Sequence, residues 1–382
     1  MLQSFFVYIT FGVSLILLGN ISWLKVKFNK VKPITFWSWD IIAALLAFGI
    51  LAGLRWNVGT DHLTYLDNYL SIQNNGYPIY DMEIGFDLFT QILANNGIHF
   101  TIYFGALAVL QIFFIYKAFE KERYLYQFLG IVIIFAPHFL GWMDGIRQML
   151  VATIFVWSIK YIFQKKLIKY ILIILVSALI HRSAFLLLIF YFFPKKDIFK
   201  KRINVYILVA ISLILGSNTF WIENIERVGE LLKLIGYSGY SENILGLIED
   251  MSLRNIGPRR LTMILVPLII IWYSPKLKDY FNNTMFILYY NLTIFGFISY
   301  NLLSNTHHVF VRPTLYFTIF TLVTASYLLV YLKNKRSTHL AMYLITIIIV
   351  ISYLPISIIA ENGKGLKDYV NYNFYWEYPK TE

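Results

Sequence analysis

Residues 165–202 constrain the fold more than any other part of the chain. The stretch KKLIKYILIILVSALIHRSAFLLLIFYFFPKKDIFKKR carries basic clusters at both ends of an apolar run, with His181-Arg182 in its middle. As one helix, residues 167–193 would reach about 40 Å, beyond a hydrocarbon core of about 30 Å. A single crossing would also put one basic cluster on the wrong side of a membrane, against the positive-inside rule. A hairpin resolves both conflicts: residues 167–180 climb, 181–183 turn and 184–193 return. Neither arm is long enough to cross, so the turn lies inside the membrane. Non-helical backbone is tolerated there only where protein or a wet cavity surrounds it. An ionisable pair at that depth marks a functional site, and the turn is expected to floor an active-site cavity.

The rest of the chain places this hairpin in a polytopic protein. Over half of the 382 residues are apolar, with apolar runs at about 4–24, 34–54, 101–119, 125–141, 146–163, 203–221, 261–274, 283–303, 313–332 and 339–360. The expected fold is an all-α polytopic membrane protein with about ten full spans plus the intramembrane hairpin, built as one transmembrane domain over residues 1–382. Residues 1–18 lack a basic n-region and a plain cleavage site and read as a retained first span. The lysine-bearing loops 25–33, 164–169, 195–202 and 333–338 mark the cytoplasmic side, which leaves 55–100 and 222–260 as the long periplasmic loops. With no cysteine, the chain carries no disulfide, thiolate nucleophile or cysteine-ligated metal, and its basic residues form no nucleic-acid patch.

The two basic residue types separate by side. On this topology 18 of the 22 lysines fall inside, whereas eight of the 11 arginines fall outside or at that boundary: Arg55, Arg147, Arg182, Arg227, Arg254, Arg259, Arg260 and Arg312. Orientation by charge does not need two residue types. Arginine's planar fork suits phosphate oxygens and stays charged when partly dehydrated, so the outer set points to an anionic ligand, pyrophosphate being the natural candidate. Pairing with outer carboxylates is the structural alternative.

Three outer segments are long enough to shape a site. In 55–97, Thr60 can cap a short helix with Asp61 in its first turn and Tyr65, Leu66, Tyr69 and Leu70 on one face. A second helix from about Glu83 carries Phe86, Phe89, Ile92 and Leu93 and ends near Gly97. Asp61 and Glu83 could each face a cavity or simply complement a helix N-terminus. The segment 222–260 holds an amphipathic helix, a Gly-Tyr-rich joint and the pair Arg259-Arg260, and reads equally as a lid or as an interfacial helix. The third comprises 304–312, whose His307-His308 lacks metal-ligand spacing, and an aromatic tail (YVNYNFYWEYP) that suits a membrane-interface belt or, less readily, sugar rings.

Taken in order, RWNVGTD (55–61) with Tyr65, EIGF (83–86), GIRQMLVATIF (145–155), IHRSA (180–184) and VRPTLYF (311–317) resemble the Wzy-like O-antigen and exopolysaccharide polymerases, in particular the EpsG branch. The likeness is densest between residues 54 and 194, and 202–260 has little that matches. It implies a GT-C-like glycosyltransferase of the bacterial inner membrane with its active site facing the periplasm. Such an enzyme joins oligosaccharide repeat units carried on undecaprenyl pyrophosphate, with no cofactor or metal and with a chain-length regulator as a possible partner.

The chemistry assigns roles to residues. Displacing a sugar from pyrophosphate develops negative charge on the leaving group, which fixed cations in a poorly hydrated pocket stabilise. Arg147 and Arg312 are expected in that role, and the acceptor hydroxyl needs a base, for which His181, Asp61 and Glu83 compete; His181 fits at least as well as a hydrogen-bonding orienter shared with Ser183. Arg55, Tyr65, Gln148, Arg182, Ser183, Arg259 and Arg260 are the expected substrate contacts. A lipid-linked oligosaccharide flippase, an O-antigen ligase and an acyltransferase are the rival readings. The topology is testable because the chain has no native cysteine: a single cysteine at Ile198, between two lysine pairs, should react only with reagents applied from the cytoplasmic side. Labelling from the periplasm would overturn it.

Overall fold

A computed structural model describes residues 1–28, 35–217, 257–281, 285–306, 308–364 and 368–377. The protein is an all-α polytopic membrane protein. Seven helices among the described residues are long and apolar enough to cross a membrane, or eight with one bent pair counted as a span. Four further apolar helices are shorter, and two of them, Trp39–Gly53 and Arg202–Gly216, fall on segments expected from the sequence to be full spans.

In chain order the helices are α1 (Leu2–Phe28), α2 (Trp39–Gly53), α3 (His62–Asn75), α4 (Ile84–Asn95), α5 (Phe100–Ala118), α6 (Tyr126–Phe135), α7 (His138–Asp144), α8 (Ile146–Phe163) and α9 (Leu167–Ala178). A 3-10 helix over Arg182–Phe192 follows, then α10 (Arg202–Ser217), α11 (Pro258–Tyr280), α12 (Phe286–Leu303), the short helical pieces His308–Val311, Arg312–Thr314 and Leu315–Thr318, α13 (Phe320–Asn334), which completes the span Arg312–Asn334, and α14 (Arg336–Glu361). Two short strands, β1 (Arg55–Trp56) and β2 (Asn373–Phe374), pair antiparallel. Packing divides the chain into two units, Met1–Lys195 with Leu322–Glu382, and Lys196–Thr321.

In the first unit helices meet where glycine lets backbones touch. A Cβ on Gly19 of α1 would sit 2.0 Å from the Tyr126 carbonyl oxygen of α6, and one on Gly53 of α2 would sit 2.4 Å from the Thr101 carbonyl oxygen of α5. Small residues at such crossings gain the dispersion contact that drives helix association in lipid. The axis bends by 62° between the pieces 123–135 and 138–144. Pro137 cannot donate to a helical carbonyl, and Ala136 before it is extended (φ −87°, ψ 177°). Gln111 of α5 spans the next break, donating to the carbonyls of Trp142 and Ile146 at 3.3 Å each.

Polar contacts define two faces of this unit. On one, Lys25 pairs with buried Asp40, and Arg123 donates to the Thr35 carbonyl at 2.8 Å. On the other, the C-terminal segment closes over the start of α1 and the end of α2. Tyr8 donates to the Val370 carbonyl and Tyr372 to the Leu51 carbonyl, each at 2.8 Å, and β2 pairs with β1. The aromatic tail is therefore in part a structural strap for the segment carrying Arg55.

Helices α3 and α4 form where the apolar spacing predicts. Tyr65, Leu66, Tyr69 and Ile72 are buried, and Gly97 takes the left-handed conformation (φ 66°) just beyond α4. Two details differ. The N-cap of α3 is Asp61 rather than Thr60, without a side-chain cap bond. Ile92, expected on the apolar face of α4, is 54% exposed.

The hairpin consists of α9 and the 3-10 helix packed together, the Tyr170 hydroxyl donating to the Leu187 carbonyl at 2.5 Å. At ~1.5 Å per residue in an α-helix and ~2.0 Å in a 3-10 helix, the arms are about 18 and 22 Å long, short of a crossing.

In the second unit α10 lies against α12, where a Cβ on Gly216 would sit 1.9 Å from the Asn301 carbonyl oxygen. Lys278 of α11 pairs with Asp197 at 3.0 Å and also donates to the Phe199 carbonyl. Residues 222–256 of the expected outer segment, with Arg227 and Arg254, lie outside the described residues, as does His307.

Candidate functional site

The N-terminus of α4 docks onto the hairpin turn, and the EIGF motif explains how. The Gly85 and Phe86 amides, unsatisfied within the first helical turn, both donate to the Leu179 carbonyl at the end of α9 (2.9 and 3.2 Å). A Cβ on Gly85 would lie 2.8 Å from that oxygen, so a larger residue would push the elements apart. The approach brings Glu83 over the turn. Its Oε1 accepts from His181 Nδ1 at 2.9 Å and from the Arg182 amide at 3.0 Å, while Oε2 pairs with Arg147 Nη1.

Arg147 enters from the first turn of α8. Its Nε donates to the Tyr65 hydroxyl at 3.3 Å, and its guanidinium carbon lies 5.8 and 5.6 Å from the ring centres of Tyr65 and Phe86. Below these rings α3, α4, α5 and α8 share one apolar cluster that includes Tyr69, Tyr103, Phe104 and Leu150. Its Nη2 and the Nε2 of His181 make no hydrogen bond to a described residue, and both side chains keep about a quarter of their surface exposed. Two polar groups are thus fixed on one side and open on the other.

The electrostatics follow from this geometry. Burial pushes the Glu83 carboxyl up, but the His181 hydrogen bond, the Arg182 amide and the Arg147 charge outweigh it and bring the pKa down to about 2. Glu83 is therefore a fixed anion and a poor base. One helical turn on, Asp87 moves the other way: burial raises its pKa, offset only in part by the Met82 amide and Arg147. Sequence reasoning passed over Asp87, although its i+4 spacing from Glu83 places both carboxylates on one helix face.

Of the expected residues, Glu83, His181, Arg147, Tyr65 and the Arg182 backbone meet at this junction. Ser183 follows in the first turn of the 3-10 helix, and Gln148 is buried beside Arg147 in α8. Arg55 is placed elsewhere. It is 1% exposed and donates to three carbonyls, Ala52 (2.7 Å), Val58 (3.2 Å) and Met143 (3.3 Å), over the face of Phe104. Burial lowers its pKa to about 10, so it remains a cation that ties the 55–61 loop to α7. Gly59 completes that tie with φ 91° and a Cβ position 2.5 Å from the Met143 carbonyl oxygen. The Asp61 amide donates to Asp144 Oδ1 at 3.2 Å, which makes Asp61 part of the same loop clamp. Buried His62 stacks on Phe104 at 4.6 Å, and burial together with Arg55 holds its pKa well below the usual range. Arg259, Arg260 and Arg312 belong to the second unit, where Arg260 donates to Asn305 (3.1 Å) and Ser304 (2.6 Å). Among the described residues no three His, Asp or Glu side chains gather to hold a metal.

Fold and junction define a class: a multi-pass helical membrane protein with a charged, partly open site where the short helix α4 meets a helical hairpin. The EpsG family model matches residues 37–374, and the chain belongs to the EpsG family, whose members are polysaccharide polymerase-type membrane proteins with glycosyltransferase-like chemistry. No curated protein and no solved structure matches the chain.

The depressed pKa of Glu83 makes a pH-dependent prediction. A carboxylate held at about 2 against an ordinary 4.5 stabilises the fold above pH 4.5, and that stability is lost as pH falls toward 2. Glu83→Gln should therefore cost about 1–3 kcal/mol near neutral pH, read as a lower melting temperature of the purified protein. The gap to wild type should narrow below pH 4.5; a gap independent of pH would refute the assignment.

Proposed function

We propose that the Glu83–His181–Arg147 junction is the reaction centre of a polymerase that joins undecaprenyl-pyrophosphate-linked oligosaccharide repeat units into O-antigen or exopolysaccharide at the periplasmic face of the bacterial inner membrane. The observation that carries this reading is the imidazole held through Nδ1 by a carboxylate, with its second nitrogen open, beside a guanidinium that is itself only partly engaged.

The reaction follows from those groups. The growing chain is the donor, and the non-reducing end of a new lipid-linked unit is the acceptor. As the acceptor hydroxyl attacks the donor's anomeric carbon, its oxygen–carbon bond forms and the bond from that carbon to the pyrophosphate oxygen breaks. The hydroxyl proton passes to His181 Nε2. Glu83, already an anion, stabilises the imidazolium that forms and fixes the ring's tautomer. The negative charge that grows on the departing undecaprenyl pyrophosphate meets Arg147, which is fixed before the reaction so that stabilisation costs little reorganisation, and the guanidinium of Arg182. A chain-length regulator is proposed as a partner.

The test is complementation of a deletion strain, with surface glycan resolved on a gel. His181→Ala should slow elongation about 100-fold or more, and Arg147→Lys, which keeps the charge but loses the fork, should shorten or abolish the polymer while membrane levels hold. A full-length ladder from either variant would refute the proposal.

A further inference from the structure

A cavity of about 560 Å³ opens beside the junction and is not needed to hold it together. Two walls define it. One is a stripe on α9, Leu172, Leu175, Val176 and Leu179, whose i, i+3, i+4, i+7 spacing sets them along one helix face. The other is an edge of the 3-10 arm: at three residues per turn, side chains three apart eclipse, so Arg182 and Phe185 stand one above the other. Glu83 lines the same space, where α4 begins. The five apolar side chains each expose between 41% and 61% of their surface, so they form a furrow rather than a packed core.

The furrow is apolar along its walls and charged where it reaches the site. The Arg182 guanidinium has no partner among the described residues, in contrast to Arg147, Arg55 and Arg260. The Glu83 carboxylate is already engaged by His181, Arg147 and the Arg182 amide, so the Arg182 guanidinium is the group on this lining left to meet an anion. A zwitterionic headgroup brings no net charge to such a site, whereas a diphosphate brings at least two negative charges and two sets of oxygens matched to arginine's fork. The furrow's apolar walls and cationic end thus suit a long hydrocarbon chain carrying a diphosphate.

We infer that this furrow between α9 and the 3-10 arm is the binding groove for the polyprenyl chain of a polyprenyl pyrophosphate, with Arg182 receiving its diphosphate. The inference rests on the polymerase reading for why such a lipid is present, and adds where it lies and which residue receives its head. The hairpin then has a mechanical reason to stop short of a full crossing: its turn sets the diphosphate at the depth of His181 while the chain runs along its flank.

The test is photo-labelling of the purified full-length protein in phospholipid nanodiscs with a diazirine-bearing polyprenyl pyrophosphate, the adducts being mapped by peptide mass spectrometry. Adducts should fall within residues 172–185. Unlabelled polyprenyl pyrophosphate should displace the label, whereas a tenfold excess of phosphatidylglycerol should not. Arg182→Ala should lower the yield at least fivefold, and Val176→Trp, which fills the furrow, should abolish labelling there. Adducts confined elsewhere, equal displacement by phosphatidylglycerol (an annular lipid only), or labelling indifferent to both substitutions would overturn the inference. Because binding is read without turnover, the two readings separate. A protein labelled in the furrow that makes no polymer sinks the polymerase reading alone, and a polymerising protein labelled elsewhere sinks the groove alone.

Discussion

One carboxylate ties three elements of the first unit together at the hairpin turn. Glu83 receives an imidazole, a guanidinium and a backbone amide from three separate elements, and each would otherwise be a poorly hydrated polar group in an apolar setting. Burying any of these groups alone is costly, and burying them around a shared anion offsets much of that cost. The arrangement also explains why α4 begins where it does. Its first amides are satisfied by the Leu179 carbonyl rather than by a side-chain cap, which leaves the Glu83 carboxylate free to reach across to His181 and Arg147.

The same economy separates structural from chemical arginines. Arg55 is wholly enclosed and saturated by carbonyls, so its charge serves to clamp a loop. Arg147 is anchored through two of its nitrogens and keeps the third toward the open side of the junction, and Arg182 is anchored only through its backbone. A gradient from enclosed to open guanidinium thus runs from the strand pair toward the hairpin.

Much of this was legible in the sequence because the membrane imposes blunt rules. Flanking lysines and an apolar run too long for one crossing required a hairpin turning at His181, and α9 and the 3-10 arm turn there. The short helices of 55–97 followed from apolar spacing and glycine, with Ile92 the exception because α4 has a narrower buried face than its composition suggests. Tertiary backbone contacts were not legible. Nothing local to Arg55 reveals that the Met143 carbonyl waits for it from α7, and nothing local to Gly85 reveals the Leu179 oxygen. Placing Arg55 among the expected substrate contacts therefore misjudged it. Treating Asp61 and Glu83 as equivalent missed that only Glu83 meets the hairpin, while Asp61 joins the clamp built on Asp144.

On the proposed mechanism Glu83 and His181 act as one unit. A double-mutant cycle on elongation rate, with purified protein and lipid-linked repeat units, tests this most directly. If the carboxylate works through the imidazole, Glu83→Gln and His181→Gln combined should elongate no more slowly than the slower single variant. Losses that multiply, each substitution slowing the reaction by its full factor in the presence of the other, would contradict it.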